Sequence, residues 1–540
     1  MYADKIIKSN AVFTGLEDAP FAGGVAVKDG RILAAAKAGE IDDYAGPETE
    51  ILTYEDNLIM PGLIDGHEHL WWGAVADSRY MVDITESKSE EEAAEMIRVF
   101  AEAHPEFPRI RGFGWFPATW NNAPLPTKES LDKAVPDRPV YMVSADVHTD
   151  WLNTKALEEA GYTPDMTFDG GHVGLDEKGE LNGLIFEPAA EELAWQKLYD
   201  FPENEIREIV EGFMKGLAEQ GVTSISEMSA DGYEDMYHRR YEVFRDMDRQ
   251  GKLTSRIHLY TKLKGMKNFD EAKQWQTEFW SARLRLTGLK GFLDGVTSTY
   301  TALLLEPYAD NPGTCGDGCP LIPQDDLNAG VTEANRVGLP VRLHCIGDGA
   351  VRMGLDAFEA SIEDNGRHGL PNTIEHIESI HPDDIPRFAK LDVIASLQGE
   401  HLPQENNEKV LRIGEERARY EWPFRSLADA GATLAFGTDF PVVRYNQFPG
   451  IYAAVDRKNY DGSIAGADNG EKLTLAEALI ANTLGSAKAY GRADELGTLE
   501  AGKLADVIVL DRNPFERPVS EIKEITVRLT MIDGQITHKL

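Results

Sequence analysis

Two histidines separated by a single residue give this chain its clearest chemistry. His67 and His69 follow an apolar segment that includes Leu58 to Met60 and Leu63 to Ile64. In a β-strand, side chains two residues apart point to the same face, so both imidazoles could reach one metal ion. Imidazole is a frequent ligand of zinc and related divalent ions. The pair alone is more typical of two histidines with ordinary hydrogen bonds, so other residues have to support a metal site.

The elements that must position these histidines alternate between strands and helices. Helical patterns such as 203–219 and 350–365 separate apolar runs that we predict to be strands. With the run before His67 they number eight, the others being 221–226, 256–262, 284–293, 340–346, 372–377, 392–397 and 433–437. Such alternation predicts parallel pairing, and eight units predict a closed (β/α)8 barrel of the TIM type.

Further side chains of the ligand type stand on or at the ends of these strands. They are Lys290 on strand 4, His344 on strand 5, His376 on strand 6 and Asp439 after strand 8. Each alone has an ordinary explanation, such as a hydrogen-bonded core histidine, a lysine reaching solvent or an aspartate that caps a loop. Because the C-terminal strand ends of a barrel converge on one site, the set as a whole predicts a centre for one or two metal ions.

The two ends of the chain depart from this alternating pattern. Residues 1–57 and 495–540 contain short β-like runs separated by turn signals such as Asp29-Gly30 and Asp533-Gly534. We therefore expect both ends to form one small β-sandwich, with the barrel in 58–494. The stretch from about 75 to about 215 reads as a large insertion after strand 1, at the face where such barrels bind substrate.

Composition and charge argue against several classes of protein. The 540 residues include 54 Lys and Arg against 92 Asp and Glu, a net charge of −38. Nucleic acids and anionic membranes both favour basic surfaces, so neither is an expected partner. We expect a cytoplasmic protein, because no stretch approaches the roughly 20 apolar residues of a membrane span and the N-terminus reads as a strand. Cys315 and Cys319 are predicted to be ordinary thiols.

Taken together, these motifs resemble the amidohydrolase superfamily, and more narrowly its amidohydrolase-3 branch, which includes N-substituted formamide deformylases. The similar stretches are Pro61–His69, Lys290–Gly295, His344–Asp348, Ile374–His376 and Gly437–Pro441, with Gly112–Trp115 and Gly502–Asp506 outside the barrel strands. The resemblance covers nearly the whole chain. It implies a barrel with a β-sandwich built from both termini, in agreement with the pattern of the two ends.

The resemblance also assigns roles to individual residues. It implies that the metal ligands are His67, His69, Lys290, His344, His376 and Asp439. Zinc is the expected ion, and a CO2-derived carbamate on Lys290 would bridge two ions, although a neutral amine is also open. Asp439 would act as the general base, which takes a proton from metal-activated water and passes it to the leaving nitrogen.

The predicted function is metal-dependent hydrolysis of a carbon–nitrogen bond other than a peptide bond, in an N-acyl or N-formyl amide. A cyclic amidase or a deaminase of an N-heterocycle would use nearly the same residues and remains an alternative. A non-catalytic regulator on the same barrel is a third reading, which the complete set of ligand-type residues disfavours.

The residues that contact the substrate are less well defined. Tyr300 stands near the place where the family often has an arginine, which predicts a small neutral or aromatic amide rather than an anionic one. Trp115 and His148 in the insertion and His401 after strand 7 are further candidates. Packing within the insertion, or a solvated loop for His401, would explain the same residues. The oligomeric state stays open, with a homodimer among the options.

Overall fold

The computed structural model describes residues 1–116, 120, 124–145, 149–168, 171–228, 234–263, 269–312, 320–404 and 408–540. The chain divides into two compact units. The larger contains Met1–Leu70, Met214–Ala230 and Met247–Leu540, and the smaller contains Trp71–Phe213 and Asp231–Asp246. The helices of the described residues include none long and apolar enough to cross a membrane.

The larger unit contains an eight-stranded parallel sheet whose strands follow each other in chain order. Barrel strands 1 to 8 are Leu63–Ile64, Val222–Glu227, Arg256–Lys262, Leu284–Phe292, Val341–Cys345, Thr373–His376, Ile394–Leu397 and Leu434–Phe436. Beyond strand 1, the Gly66 amide donates to the Phe436 carbonyl of strand 8 at 2.8 Å, which links the first strand to the last. The predicted (β/α)8 fold class is confirmed.

Helices separate the barrel strands and follow them. The α-helices from residue 203 onward are as follows: Glu203–Glu219, Glu234–Arg249, Asp270–Glu278, Gln324–Arg336, Asp348–Asn365, Ile385–Leu391, His401–Gln404, Glu408–Ile413, Glu415–Ala418, Phe424–Asp429, Gln447–Asp456, Leu475–Ile480 and Ser486–Ala489. A π-helix, Ala481–Gly485, joins the last two. Helix Asp348–Asn365 is amphipathic, because it buries Val351, Leu355 and Phe358 on one side. It ends at Gly366, whose φ is 76°.

Both ends of the chain join one sheet, as the sequence predicts. Its path is Gln535–Lys539, Val527–Ile532, Val507–Leu510, Leu58–Pro61, Lys5–Val12, Phe21–Lys28 and Arg31–Lys37, with Glu50–Thr53 beside Lys5–Val12. Leu58–Pro61 therefore pairs in this terminal sheet, and only Leu63–Ile64 joins the barrel. The β-rich terminal domain is confirmed, while the boundaries at 57/58 and 494/495 stay predictions.

The smaller unit contains the insertion after barrel strand 1. Its six-stranded sheet has the order His172–Leu175, Leu181–Phe186, Thr149–Leu152, Val140–Ser144, Ile110–Trp115 and Met81–Asp83. The accompanying helices are Leu70–Ala76, Glu90–Ala103, Lys128–Ala134, Thr154–Ala160 and Pro188–Leu198. Its core includes the buried Ile110, Trp115, Met142 and Trp151.

Candidate metal centre

The Asp439 carboxylate lies among the imidazoles that the sequence singles out. Its Oδ1 is 3.2 Å from His69 Nε2 and 3.4 Å from His67 Nε2, and its Oδ2 is 3.9 Å from His376 Nδ1. One ligand-type atom from each of His67, His376 and Asp439 lies within 4.8 Å of the others, and all three residues are buried. These side chains come from the ends of barrel strands 1, 6 and 8, so closure of the barrel brings them together.

Lys290 and His344 complete the group from strands 4 and 5. Lys290 Nζ is 3.4 Å from His67 Nε2, and the lysine is 2% exposed. The His344 ring lies 4.4 Å from the His376 ring, measured between centroids. The structure therefore gathers six predicted ligand residues at one end of the barrel: His67, His69, Lys290, His344, His376 and Asp439.

Burial sets the protonation of this group. It lowers the pKa of His67 to about 4 and that of His344 to about 3, and the neighbouring Lys290 adds to both shifts. Burial alone would raise the pKa of Asp439, but the surrounding imidazoles outweigh it and hold that pKa well below its usual value. At neutral pH His67 and His344 are thus neutral and the Asp439 carboxylate is ionised, which are the forms that bind a cation.

The same side chains retain unused capacity for a ligand. Within the part of the chain that the structure describes, the buried His376 Nδ1 has no hydrogen-bond partner. A buried polar atom without a partner costs about 1–3 kcal/mol, and a bound cation would remove that cost. The donor set of nitrogen and carboxylate oxygen fits a zinc-like divalent ion.

Backbone conformation at two of these residues is unusual. His376 has φ 74° and Asp439 has φ 63°, both in the left-handed region that residues other than glycine rarely adopt. Each such conformation costs on the order of 1–3 kcal/mol and occurs most often at functional sites. The left-handed conformation turns the chain at the end of the strand. No local sequence pattern predicts it.

A buried ion pair behind His67 was missed from the sequence. Glu375 Oε2 lies 2.7 Å from His67 Nδ1, while the other oxygen of Glu375 accepts from Arg342 Nε. Arg342 also donates to the Gly66 carbonyl at 2.7 Å. A carboxylate on Nδ1 directs Nε2 of His67 towards Lys290 and Asp439. Charged residues inside apolar strands, Glu375 before His376 and Arg342 before His344, were the available signal.

Two further aspartates hold the strand ends in place. Asp65 accepts from the Thr438 amide at 2.9 Å and from Gln447 Nε2 at 2.6 Å. Asp294 accepts from the amides of Leu303, Ile346 and Gly347 at 2.8–3.0 Å. Burial raises the pKa of Asp294 to about 7. The sequence shows these aspartates only as members of motifs and not what they bond.

His401 lies beside the centre rather than in a solvated loop. It is 6% exposed, and its Nε2 is 3.8 Å from Asp439 Oδ2. His376, Glu378 and His401 form a second group whose ligand-type atoms lie within 4.8 Å of one another. Glu378 is at the same time ion-paired with the buried Lys409. The role of His401 as a substrate contact stays a prediction.

The other candidate substrate contacts have varied surroundings. The Tyr300 hydroxyl donates to Asp310 at 3.0 Å, and the Arg412 guanidinium lies 4.4 Å from its ring centroid. Trp115 is 1% exposed in the core of the smaller unit and donates its indole N–H to the Met142 carbonyl at 3.1 Å. His148 lies outside the described residues, as do Cys315 and Cys319. Contact of Trp115, His148 and Tyr300 with substrate stays a prediction.

A parallel eight-stranded barrel with imidazoles and a carboxylate at its strand ends defines a class of protein, the metal-dependent hydrolases built on this fold. The model of the amidohydrolase family matches residues 55–538. The chain therefore belongs to the amidohydrolase family, as its motifs suggested.

Individual relatives are similar to this chain along almost its whole length. The chain is 29% identical to Protein LONG AFTER FAR-RED 3 of Arabidopsis thaliana, over 99% of this chain and 91% of that protein. It is 25% identical to N-substituted formamide deformylase of Arthrobacter pascens, over 95% of this chain and 94% of that protein. An uncharacterized metal-dependent hydrolase from Pyrococcus horikoshii has a similar crystal structure, with a TM-score of 0.78 and 27% identity over 95% of this chain and 99% of that one.

The enzyme class that the sequence predicts is thereby confirmed. The protein is a hydrolase that acts on carbon–nitrogen bonds other than peptide bonds, and it depends on a divalent metal. The identity of the ion, a carbamate on Lys290 and the bond that is cleaved remain predictions.

Proposed function

We propose that this enzyme hydrolyses a small N-acyl or N-formyl amide at a divalent metal held by the strand-end residues. The observation that carries the proposal is the Asp439 carboxylate, which lies 3.2–3.9 Å from nitrogens of three histidines. The proposed ligands are His67, His69, His344, His376 and Asp439, with Lys290 as a sixth member of the set. Zinc is the expected ion, since imidazole nitrogens predominate.

A divalent ion held by these residues would supply Lewis acidity, which polarises a carbonyl and lowers the pKa of water from about 15.7 towards about 7. Asp439 then handles the protons. Its carboxylate takes one proton from the attacking water and delivers it to the leaving nitrogen as the carbon–nitrogen bond breaks. The products are a carboxylic acid, formic acid in the N-formyl case, and an amine. The lowered pKa of Asp439 keeps the carboxylate ionised before the reaction and makes it release the proton readily.

Lys290 needs a chemical form that tolerates a nearby cation. Its Nζ lies 3.4 Å from His67 Nε2, where an ammonium group would repel a divalent ion. We propose that the neutral amine adds to CO2 and loses one proton, which gives an anionic carbamate. An anion at this place would let the site hold two ions.

The proposed substrate is neutral or cationic rather than anionic. Tyr300 occupies the loop position where an arginine could have held an anion, and its hydroxyl is bonded to Asp310. The chain as a whole carries a net charge of −38, which disfavours the approach of anions.

The decisive variant is Asp439→Asn. We expect it to keep its fold and, at saturating zinc, to hold metal through the remaining ligands, but to lose turnover of every substrate in a panel of N-formyl amines, N-acyl amines and cyclic amides. Asp383→Asn is the matched control, because the Asp383 side chain is 84% exposed and contacts only His381 among the ion pairs of the described residues. Retained activity in Asp439→Asn would refute the general-base role. Turnover of cyclic amides alone would favour a cyclic amidase instead.

A further inference from the structure

A small cleft lies at the ends of barrel strands 7 and 8. Its interior has room for about one water-sized group. Its lining comes from both strand ends, from the start of helix Gln447–Asp456 and from the π-helix, and includes Glu400, Thr438, Asn446, Gln447 and Asn482. Thr438 precedes Asp439 in the chain, and Glu400 precedes His401, whose Nε2 is 3.8 Å from Asp439 Oδ2. The cleft therefore lies at the same end of the barrel as the proposed reaction centre.

Asn482 offers this cleft a hydrogen-bond acceptor. The residue is 1% exposed, and its Nδ2 donates to the Ala478 carbonyl at 3.1 Å, which fixes the orientation of the amide. Its Oδ1 has no hydrogen-bond partner among the residues that the structure describes. Asn482 lies in the π-helix Ala481–Gly485, a rare form that occurs frequently at functional sites.

Glu400 adds a second acceptor, and one that can carry charge. One carboxylate oxygen accepts from the Tyr460 hydroxyl. The other, Oε2, is buried and likewise lacks a hydrogen-bond partner within the described part of the chain. The cleft thus contains two acceptor oxygens, Glu400 Oε2 and Asn482 Oδ1, whose hydrogen-bonding capacity is unused.

Two side-chain donors along the cleft wall and one acceptor are already engaged elsewhere. The Thr438 hydroxyl and the Gln447 amide both donate to Asp65, at 2.6 Å each. Asn446 Oδ1 accepts from the Phe448 amide at 3.1 Å, so it caps the following helix. A cleft with two acceptor oxygens of unused capacity, one of them on a carboxylate, suits a ligand that donates hydrogen bonds and carries positive charge.

We propose that this cleft is a subsite for a primary ammonium group of the substrate, which would donate to Glu400 Oε2 and Asn482 Oδ1. The enclosed part of the cleft has room for about one water-sized group, which matches an ammonium group and excludes an aromatic ring. The inference rests on the proposed amide hydrolysis. It narrows the class of proposed substrates to amides that carry an amine at a short distance from the scissile bond.

The first test compares matched substrates. Short mono-formylated diamines of increasing length are paired with N-alkylformamides in which a methyl group replaces the amine. We expect kcat/KM to favour one length of the amino compounds by about ten- to hundredfold, as a charge-assisted hydrogen bond supplies. Glu400→Gln should remove most of this preference, measured as the ratio of the two kcat/KM values within the same variant. Glu363→Gln, an exposed helical glutamate, serves as the control and should keep the preference.

The second test does not depend on turnover. Calorimetry measures the binding of the free diamines and of alkyl alcohols of equal length to the metal-loaded enzyme, to Glu400→Gln and to Asn482→Asp. We expect diamines to bind more tightly than alcohols. Glu400→Gln should lower the affinity for diamines about tenfold or more, and Asn482→Asp, which adds a carboxylate, should raise it. If no formamide is hydrolysed but diamines bind in this pattern, the proposed function fails and the subsite stands. Equal binding of diamines and alcohols, or no effect of either variant, would mean that the cleft holds only a structural water and would overturn the proposal.

Discussion

Replacing Glu375 with glutamine removes one charge from the buried pair behind His67 and keeps the shape of the side chain. Glu375, Arg342 and His67 are each 0% exposed, and Glu375 contacts both of the others. Burial alone would raise the pKa of Glu375, but the charge of Arg342 and the contact with His67 hold it far below its usual value. The carboxylate is therefore ionised at neutral pH.

The expected loss of stability follows from the charge that remains. In Glu375→Gln the buried Arg342 keeps its charge without a counter-ion, and breaking a buried pair in this way costs about 3–5 kcal/mol. An amide oxygen in place of the carboxylate also holds the His67 Nδ1–H less strongly. Loss of such a partner typically weakens metal affinity about 10- to 100-fold.

Two measurements separate these effects: urea unfolding of the metal-loaded protein, and zinc affinity by competition with a coloured chelator. Glu333→Gln is the matched control, because Glu333 pairs with Arg336 at 2.6 Å with both side chains about half exposed. Such surface ion pairs contribute only about 0–1 kcal/mol to the free energy of unfolding. If Glu375→Gln unfolds at the same urea concentration as Glu333→Gln, the argument about the buried charge is wrong. A loss of stability with unchanged zinc affinity would refute the role of Glu375 in orienting His67.

Four more predictions concern metal, Lys290, pH and salt. Chelation should lower Tm and zinc should restore it, because an ion at 1,000 times its Kd stabilises by about 4 kcal/mol; an unchanged Tm contradicts a metal held by the folded state. Isotopically labelled bicarbonate should give a carbamate carbon signal that Lys290→Arg lacks, and an unmodified lysine beside one ion would exclude the carbamate. Burial raises the pKa of Glu400 from 4.5 to about 7, so between these values the native state binds more protons than the unfolded chain and stability falls as pH rises. The Tm of Glu400→Gln relative to the parent should therefore increase across this window, and a constant difference would contradict the shift. Added KCl should raise Tm, because it screens a net charge of −38, and a flat response would show that self-repulsion is unimportant.

Local sequence patterns predicted the barrel and the members of its site. Strand positions follow from short apolar runs between helical segments, and such periodicity depends only on neighbouring residues. Convergence of His67, Lys290, His344 and Asp439 then follows from topology, since parallel strands closed into a barrel bring their C-terminal ends together. Both β-rich ends of the chain were recognisable for the same local reason.

Pairings between distant segments could not be predicted in this way. Leu58–Pro61 is as apolar as a barrel strand, and its place in the terminal sheet depends on Val507–Leu510, hundreds of residues away. The burial of His401 depends in the same way on the loop's packing near Asp439 and Trp422. Sequence distance hides such partners because many alternative pairings satisfy the same local pattern.

The amino-acid sequence by itself thus determined which residues could bind a metal and the barrel that gathers them. Only the tertiary structure decided how these residues are held and charged. It placed Glu375 and Arg342 behind His67, put His376 and Asp439 in left-handed conformations, and left Asn482 facing the cleft. The physical reason is that hydrogen bonds, burial and pKa depend on all the groups that surround an atom, and the fold brings those groups from distant parts of the chain.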